Sequence, residues 1–426
     1  MAYVLIGNSA AAIGAIEGVR SVDLDGEIIL FSDEPYHTYS RPLISYYLDG
    51  KVQEEKMYYR PADFYKRNRV EAHLGSRVAA LAPEKKTITL ADGQTVPYDK
   101  LLLATGGKPI VPPLPGRELD GVFTFLKWDD VKALEQTLAP GMRTVVIGAG
   151  LIGLKATEAL VKRGVAVTVV ELANRVLSAI LDEAAARLVQ ESMLEHGVKF
   201  YLENTVAEVL GRDGKVAGVR LRDGAEIPCE RLVIAIGVFP NTDLAQGTAI
   251  KVNRGIVVDE RMATTVPDIF AAGDVTEGFD TIYQQQRVLP ILPNAYKQGF
   301  TAGINMAGEV RAYKGGFAMN SIGFFDLPLI TAGIVRPEGE GYLSLTQADP
   351  GARKYKKVVL KDNKVVGFIA LNQIDRAGIL TGLMEQEVDA SPFLEHLLRE
   401  DFGYAYLPAA YRQEQMLKGV SGGVRA

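Results

Sequence analysis

Residues 144–153, Thr-Val-Val-Ile-Gly-Ala-Gly-Leu-Ile-Gly, decide the fold of this chain. A short β-branched run leads directly into three glycines spaced Gly-x-Gly-x-x-Gly, and an Ala-containing stretch from Leu151 to Arg163 then predicts a helix. In such a unit the glycines permit a tight turn, a close approach of backbone to a pyrophosphate, and packing of the helix on the strand. The dipole at the helix start favours the phosphate charge. The predicted dinucleotide contacts are Gly148, Gly150, Leu151, Ile152 and Gly153.

The continuation of this unit supports a dinucleotide. A second apolar strand, Val167–Val170, is followed by Glu171, about twenty residues beyond the glycines. A carboxylate at that place accepts hydrogen bonds from an adenosine ribose and repels a 2′-phosphate, which favours NAD(H) over NADP(H). Arg175 weakens this preference because a basic residue nearby could reach a phosphate. The alternative for Glu171 is a solvated charge at a strand end.

The chain begins with a poorer version of the same unit. Strands at Tyr3–Ile6 and Ile28–Phe31 flank an Ala-rich helical stretch from Ser9 to Arg20. In its turn only the first glycine is kept, and Ser9 could offer a hydroxyl to a phosphate; the alternative is a plain core helix. Asp33 or Glu34 could hold a ribose after the second strand, and Asp33 is slightly favoured. The contacts predicted in this first unit are Gly7, Ser9, Ala10, Ala11, Ala12, Asp33 and Glu34.

Composition limits the classes of function. With 426 residues the chain should form two to four domains. A net charge of −5 disfavours nucleic acids and anionic membranes as partners. One cysteine, Cys229, excludes an internal disulfide and makes the cytoplasm the default location. The four histidines are scattered, so no metal site is expected, and no 18-residue apolar window predicts a membrane span. We expect a soluble cytoplasmic protein.

Two proline-containing segments predict where the chain crosses between domains. Residues 108–116 carry four prolines, which should continue neither a sheet nor a helix, and residues 239–242 mark a plausible second crossing. The tail changes pattern, with a hairpin at 356–371 followed by helices at 378–387 and 392–400. The predicted class is α/β, with two Rossmann-like domains, one inserted in the other, and a C-terminal α+β domain.

Three further segments carry a family resemblance. Residues 101–106 (Leu-Leu-Leu-Ala-Thr-Gly), 234–241 (Ile-Ala-Ile-Gly-Val-Phe-Pro-Asn) and 269–274 (Ile-Phe-Ala-Ala-Gly-Asp) resemble the pyridine nucleotide-disulfide oxidoreductase superfamily of FAD/NAD-linked reductases. The resemblance implies FAD in the first domain, NAD(H) in the second, and a contact between Asp274 and the ribityl chain of the flavin. It also implies cofactor contacts at Ala104, Thr105, Gly106, Gly237, Gly273 and Asp274.

Within the superfamily the chain resembles most the NADH oxidase, rubredoxin reductase and nitrite-reductase flavin-domain group. The segment at 39–45 (Tyr-Ser-Arg-Pro-Leu-Ile-Ser) implies a basic Arg41 beside the isoalloxazine. The segment at 75–83 implies that the backbone of Val78 meets the adenine, and 293–299 implies a helix whose start faces the flavin pyrimidine. The tail is similar to an interface domain, which implies a homodimer. The added cofactor contacts are Arg41, Pro42, Val78, Pro293 and Ala295.

The resemblance also suggests domain limits. The FAD-binding domain is predicted at 1–113 and 243–316, the NAD-binding domain at 114–242, and the interface domain at 317–426.

Two departures from the superfamily shape the expected mechanism. No cysteine occurs in 39–45, and Cys229 is expected to be inert, so electrons should leave the flavin without a thiol relay. Lys155 stands where the family usually has a glutamate that pairs with the basic group matching Arg41. Either Lys155 and Arg41 together raise the positive potential at the flavin, or Lys155 is turned away or neutralised by a carboxylate such as Glu158. Arg41 and Lys155 are therefore the predicted catalytic residues.

The expected reaction passes a hydride from NADH to FAD and then electrons to a small Fe–S protein of the ferredoxin or rubredoxin type. The chain lacks the cysteines for a cluster, so this acceptor would be another protein. The alternatives are an NADH oxidase that reduces O₂ directly and an NADH-sensing flavoprotein whose dimer or partner surface responds to reduction. An electron-transfer subunit of a larger complex is a variant of the first expectation.

Overall fold

The two predicted strand–turn–helix units each supply the central strand of a parallel five-stranded sheet. The computed structural model describes residues 1–413. The first thirteen strands are β1 Ala2–Ile6, β2 Glu27–Ser32, β3 Val70–Leu74, β4 Val78–Ala82, β5 Thr87–Leu90, β6 Thr95–Pro97, β7 Lys100–Leu103, β8 Gly107–Pro109, β9 Val122–Thr124, β10 Arg143–Ile147, β11 Ala166–Val170, β12 Lys199–Tyr201 and β13 Val206–Arg212. The others are β14 Lys215–Leu221, β15 Glu226–Pro228, β16 Arg231–Ile234, β17 Val238–Pro240, β18 Ile256–Val257, β19 Ile269–Ala271, β20 Thr276–Asp280, β21 Gln285–Arg287, β22 Met319–Phe324, β23 Leu327–Gly333, β24 Tyr342–Asp349, β25 Lys354–Lys361 and β26 Lys364–Leu371. The α-helices are α1 Ala10–Arg20, α2 Ile44–Leu48, α3 Phe64–Arg67, α4 Trp128–Glu135, α5 Leu151–Lys162, α6 Glu183–Glu195, α7 Leu292–Met306 and α8 Ala377–Glu385.

The first sheet has the order β19-β7-β1-β2-β3 and the second the order β12-β11-β10-β16-β9, and every neighbouring pair in them is parallel. Parallel strands are buried on both faces, which explains their continuous apolar runs: Val4 and Leu5 of β1 are fully buried. Each central strand leads through a glycine turn into a helix, β1 into α1 and β10 into α5. The carboxyl ends of β1, β7 and β19 therefore meet at one edge, and those of β10, β11 and β16 at another. The predicted α/β class is confirmed.

The two proline-containing crossings pair with each other, contrary to the expectation that residues 108–116 form no strand. β8 and β17 make a short antiparallel ladder in which Phe239 lies opposite Lys108. Backbone hydrogen bonds flank it, from Ile110 to Gly237 and from Asn241 to Gly106. Hydrogen-bonded pairs alternate along an antiparallel ladder, so the prolines at 109 and 240 occupy the positions that need no donor.

Helices α1 and α7 pack backbone against backbone. A Cβ added at Gly299 of α7 would lie 1.9 Å from the carbonyl oxygen of Ala11 in α1. Three more glycines make the same kind of contact along the two helices: Gly14, Gly18 and Gly303. Because no side chain separates them, the start of α7 is held beside the start of α1.

The chain divides into two compact units, residues 1–172 with 197–318, and residues 173–196 with 319–426, of which 414–426 lie outside the described residues. In the second unit an antiparallel sheet has the order β22-β23-β26-β25-β24. Helix α6 belongs to this unit, because the Tyr355 hydroxyl and the Lys357 ammonium both donate to Asp182, its N-cap. The three-domain limits drawn from the sequence remain a prediction.

Most predicted elements are present with small shifts of their ends. The hairpin of β25 and β26 and helix α8 confirm the patterns at 356–371 and 378–387. The helix expected at 392–400 is wrong, because Ser391–His396 forms a 3₁₀ segment and Phe393 has a non-helical φ of −137°. Among residues 1–413, no helix combines the length and apolar character needed to cross a bilayer.

Candidate functional site

The first glycine turn is shaped by contact with a neighbouring strand end. Gly7 has φ +116°, and a Cβ there would lie 2.1 Å from the carbonyl oxygen of Ala104, so only glycine fits. Ser9 is the N-cap of α1 in extended conformation, and its hydroxyl caps no backbone N–H. The helix start thus leaves both its first amides and this hydroxyl for a ligand.

A cleft of about 450 Å³ opens at this edge of the first sheet, within the first unit. It gathers residues predicted from segments more than two hundred positions apart: Gly7, Ser9, Ala10, Ala11, Asp33, Glu34, Arg41, Val78, Ala104, Thr105, Gly106, Gly273, Asp274 and Ala295. Three predicted residues are not among those that line it: Ala12, which is fully buried in the core, Pro42 and Pro293. Lining residues that were not among the predicted contacts include Asn8, Tyr36, Arg77, Lys108, Lys127 and Asn241. Asn8, Arg77 and Asn241 lie within the motif segments, whereas no motif pointed to Tyr36, Lys108 or Lys127.

One wall of the cleft carries an ion pair between Arg41 and Glu34, and the Tyr39 hydroxyl is hydrogen-bonded to both. The Arg41 guanidinium donates to Glu34 Oε1 at 2.5 Å, and the Tyr39 hydroxyl donates to Glu34 Oε2 at 2.6 Å. That hydroxyl accepts from Arg41 at 3.2 Å and from the backbone N–H of Trp128 at 3.1 Å. Burial raises the pKa of Tyr39, so it stays a neutral donor. Both Glu34 oxygens are engaged, whereas Asp33 is half exposed and pairs with Lys127 at 2.6 Å.

Asp274 is a cleft carboxylate without a hydrogen-bond partner among residues 1–413. It follows β19 and Gly273, lines the cleft, and accepts no hydrogen bond from any residue in 1–413. Burial raises the pKa of Asp274 to about 6, while the positive charge of Arg41 lowers it. An unpaired, poorly hydrated carboxylate is costly unless a ligand donates to it. Hydroxyls of a sugar or ribityl chain are suitable donors, so this residue fits the flavin position implied by its motif.

The second glycine turn has the geometry expected of a pyrophosphate site. Gly148 has φ +104°, and a Cβ at Gly153 would lie 2.0 Å from the Gly148 carbonyl oxygen, which accounts for two of the three glycines. Gly150, the N-cap of α5, has open space at its Cα, as a backbone that approaches a phosphate requires. The N–H of Ala149 donates to Glu171 Oε2 at 2.6 Å, so this carboxylate holds the turn as well. Gly237 follows β16, the neighbour of β10, at the same edge.

The two predicted catalytic cations are each paired with a carboxylate. Lys155 donates to Glu158 at 2.5 Å, one turn further along α5, and Arg41 pairs with Glu34. This is the neutralised arrangement of Lys155 considered from the sequence. The structure therefore does not present two uncompensated positive charges at the predicted flavin site.

Cys229 lies in the core under β14 and β16, away from the cleft lining. Burial raises the pKa of its thiol to about 12, with Glu230 adding to the effect. A thiol with that pKa stays protonated at neutral pH and is a poor nucleophile.

Comparison with known proteins identifies the family of the chain. Residues 1–299 match the family described as pyridine nucleotide-disulphide oxidoreductase, and residues 319–388 match the rubredoxin NAD+ reductase C-terminal domain. The chain is 33% identical over 397 residues to the NADH-dependent phenylglyoxylate dehydrogenase subunit epsilon of Aromatoleum evansii, covering 92% of this chain and 93% of that protein. It is 34% identical over 275 residues to the rubredoxin-NAD(+) reductase of Ectopseudomonas oleovorans, covering 64% of this chain and 71% of that one.

Among solved structures, the covalent putidaredoxin reductase–putidaredoxin complex superposes with a TM-score of 0.84 and 25% identity, covering 91% of this chain and 94% of that chain. Because the family match spans more than half of the sequence and the first relative is covered almost entirely, the resemblance drawn from the motifs is confirmed: the chain belongs to the pyridine nucleotide-disulphide oxidoreductase family.

Proposed function

We propose that this protein is a FAD-dependent NADH:acceptor oxidoreductase that delivers electrons to a small Fe–S protein of the ferredoxin or rubredoxin type. The observation that carries the proposal is the cleft in which the unpaired Asp274 carboxylate meets the start of α1, at the edge where the motifs predict the flavin. Among the described residues, no other carboxylate in the cleft is both unpaired and shifted in this way.

The chain's own residues divide between the two cofactors, FAD and NAD(H). For FAD, Gly7 and Ser9 receive the pyrophosphate, Asp274 accepts from the ribityl hydroxyls, and Arg41 offers positive charge to the ring system. For NAD(H), the turn at Gly148 and Gly150 receives the pyrophosphate, and Glu171 faces the adenosine ribose. When bound, FAD accepts a hydride from NADH and can release the two electrons one at a time. The protein contributes position and charge, and no side chain is assigned as an acid or base.

The single buried cysteine supports electron release without a thiol step. Family members that use a protein disulfide need two reactive sulfurs, whereas this chain has only Cys229, whose thiol is protonated. A small Fe–S protein takes one electron at a time, which matches what a reduced flavin can give. One relative is named for rubredoxin, and the second-unit match carries the same name, which supports this class of acceptor.

The relatives and the tail support a proposal for the assembly. A relative that aligns over nearly its full length is named as a subunit of an NADH-dependent dehydrogenase, so this chain could serve as the NADH-oxidising subunit of a larger enzyme. We propose a homodimer formed through the second unit, and a cytoplasmic location.

Stopped-flow spectroscopy of the FAD-loaded protein tests the proposal. NADH should bleach the flavin, and a ferredoxin or rubredoxin should then reoxidise it much faster than air-saturated buffer does. Rapid reoxidation by air would identify an NADH oxidase instead. A reduced flavin that persists with every acceptor would identify a redox sensor, and protein that binds no FAD would end the proposal.

A further inference from the structure

Lys155 is almost buried and is clamped on two sides. Its side chain is 10% exposed; the ammonium lies 2.5 Å from Glu158 Oε2 and 4.4 Å from the centre of the Tyr46 ring. A desolvated ammonium is costly unless it is paired, and the face of an aromatic ring adds a second favourable contact. The side chain is therefore fixed in one position, with Tyr46 on α2 and Glu158 on its own helix α5.

The clamp is part of a longer contact between α5 and α2. Lys155, Glu158 and Lys162 lie at positions i, i+3 and i+7, which places them on one face of α5. The Lys162 ammonium bridges Glu158 at 2.7 Å and Asp49, just after α2, at 3.5 Å. The next residue, Arg163, donates to the carbonyl oxygen of Leu48 at 2.5 Å.

Helix α2 needs contacts with its neighbours, and it packs against α4 as well as α5. It has five residues, too few to be stable by itself in water. It begins directly after the turn Arg41–Leu43, which carries the cation proposed to face the flavin. Gly150 is the N-cap of α5, where the nicotinamide dinucleotide is proposed to bind, and Lys155 lies five residues, about 7.5 Å along the axis, beyond it.

Resting on the proposed function, we infer that Lys155 is a positioning residue: held between the Tyr46 ring and the Glu158 carboxylate, it fixes the nicotinamide helix α5 against the flavin-side helix α2. Hydride transfer needs the reacting atoms about 3–3.5 Å apart, and an error of about 1 Å can cost about a hundredfold in rate. The clamp joins α5, whose start is proposed to bind NAD(H), to α2, which follows the turn of Arg41 beside the flavin, so it acts on that distance.

The charge of Lys155 is balanced locally, which separates this role from an electrostatic one. Although burial raises the pKa of Glu158, hydrogen bonds from Lys155 and Lys162 hold it below its ordinary value, so Glu158 is a carboxylate at neutral pH. Loss of the Lys155 side chain should therefore change the rate of hydride transfer more than the reduction potential of the flavin.

The first experiment measures flavin reduction by NADH in the FAD-loaded variants Lys155→Gln and Tyr46→Leu. Each should lower the limiting reduction rate by about tenfold or more, leave the apparent NADH Kd within about threefold, and leave the flavin midpoint potential unchanged. The double variant should be no slower than the worse single one, because both remove the same clamp. Lys155→Arg should restore most of the rate, since a guanidinium also stacks on a ring.

Two control variants concern the same Tyr46 ring. Tyr46→Phe keeps the aromatic face, and Lys51→Gln removes an exposed cation that lies 5.4 Å from the centre of that ring, so both should behave like the wild type. A Lys155→Gln limiting rate within about twofold of wild type would overturn the inference. A lowered midpoint potential in that variant would overturn it in favour of an electrostatic role.

A second experiment tests the clamp without NADH. In hydrogen–deuterium exchange of the FAD-loaded protein, the peptide that covers α2 should exchange faster in Lys155→Gln than in wild type or Lys51→Gln. Unchanged exchange would refute the clamp. A wild type that NADH fails to reduce would refute the proposed function alone, and the exchange result would still decide whether Lys155 holds α2.

Discussion

Replacing Asp274 by asparagine should stabilise the flavin-free protein and weaken its affinity for FAD. The carboxylate lines the cleft without a protein hydrogen bond, and burial raises its pKa to about 6 from an ordinary value of 3.8. The raised pKa means that the ionised form is less favourable in the folded than in the unfolded chain. Asp274 therefore lowers the free energy of unfolding at neutral pH, as residues kept for ligand binding often do.

The magnitude follows from the gap between the two pKa values. At about 1.36 kcal/mol per pKa unit, the step from 3.8 to about 6 corresponds to about 3 kcal/mol. The full cost is present above pH 6, where both states are ionised, and it disappears as the pH falls below the unfolded value. Because an asparagine amide must also be desolvated, Asp274→Asn should recover about 1–3 kcal/mol at pH 7.5 and less than about 1 kcal/mol at pH 4.

Urea unfolding of the apoprotein at the two pH values measures this difference. Asp280→Asn is a matched control that should change the free energy of unfolding in the opposite direction. That carboxylate is fully buried but satisfied, since it accepts from the backbone N–H groups of Ile282 and Tyr283 and pairs with Arg287 at 2.9 Å. Its loss should cost about 1–3 kcal/mol at pH 7.5.

Binding of FAD, followed by quenching of its fluorescence, measures the other half of the prediction. A hydrogen bond to a charged group contributes about 1.5–3 kcal/mol, so Asp274→Asn should raise the Kd for FAD by about ten- to a hundredfold. An Asp274→Asn apoprotein that is less stable than wild type at pH 7.5, or that binds FAD as tightly, would refute this account of the cleft.

Four further substitutions have predicted outcomes. Gly299→Ala should destabilise the protein by about 1–3 kcal/mol or more in urea, because its Cβ would lie 1.9 Å from the Ala11 oxygen. Gly378→Ala in α8, where a Cβ meets open space, should be neutral or stabilising by up to about 1 kcal/mol; equal losses would contradict the close helix contact. Cys229→Ala should leave the rate of flavin reduction within about twofold of wild type, and a larger loss would indicate a thiol step. Glu171→Gln should shift the ratio of kcat/KM values for NADH and NADPH toward NADPH by about tenfold, and an unchanged ratio would show that Glu171 serves only the turn.

The motif residues show which parts of the site depend only on neighbouring residues in the sequence. A Gly-x-Gly-x-x-Gly after a β-branched strand specifies one turn, and its conformation depends on neighbours within a few positions. The same is true of Gly7 and of the strand that leads to Asp274. Parallel strands bring their carboxyl ends to one edge, and the family resemblance indicated that the end of the strand before Asp274 is one of those that meet there.

Pairing of charges was not predictable in the same way. Arg41 and Glu34 were each predicted as cofactor contacts, yet no sequence pattern linked them to each other, to Tyr39 or to the backbone of Trp128. Lys127 lines the cleft, although no sequence motif predicted it there. Such contacts depend on how separate loops pack, and no short sequence pattern encodes that.

The sequence by itself determined two glycine turns after two buried strands, and with them the class of fold and the kind of ligand, because backbone conformation at a tight turn is a local property. Tertiary structure decided that α6 joins the second unit, that the two proline segments form one ladder, and that Lys155 reaches Tyr46 as well as Glu158. These outcomes follow from packing between segments far apart in the chain, because burial and shape complementarity determine which segments contact each other.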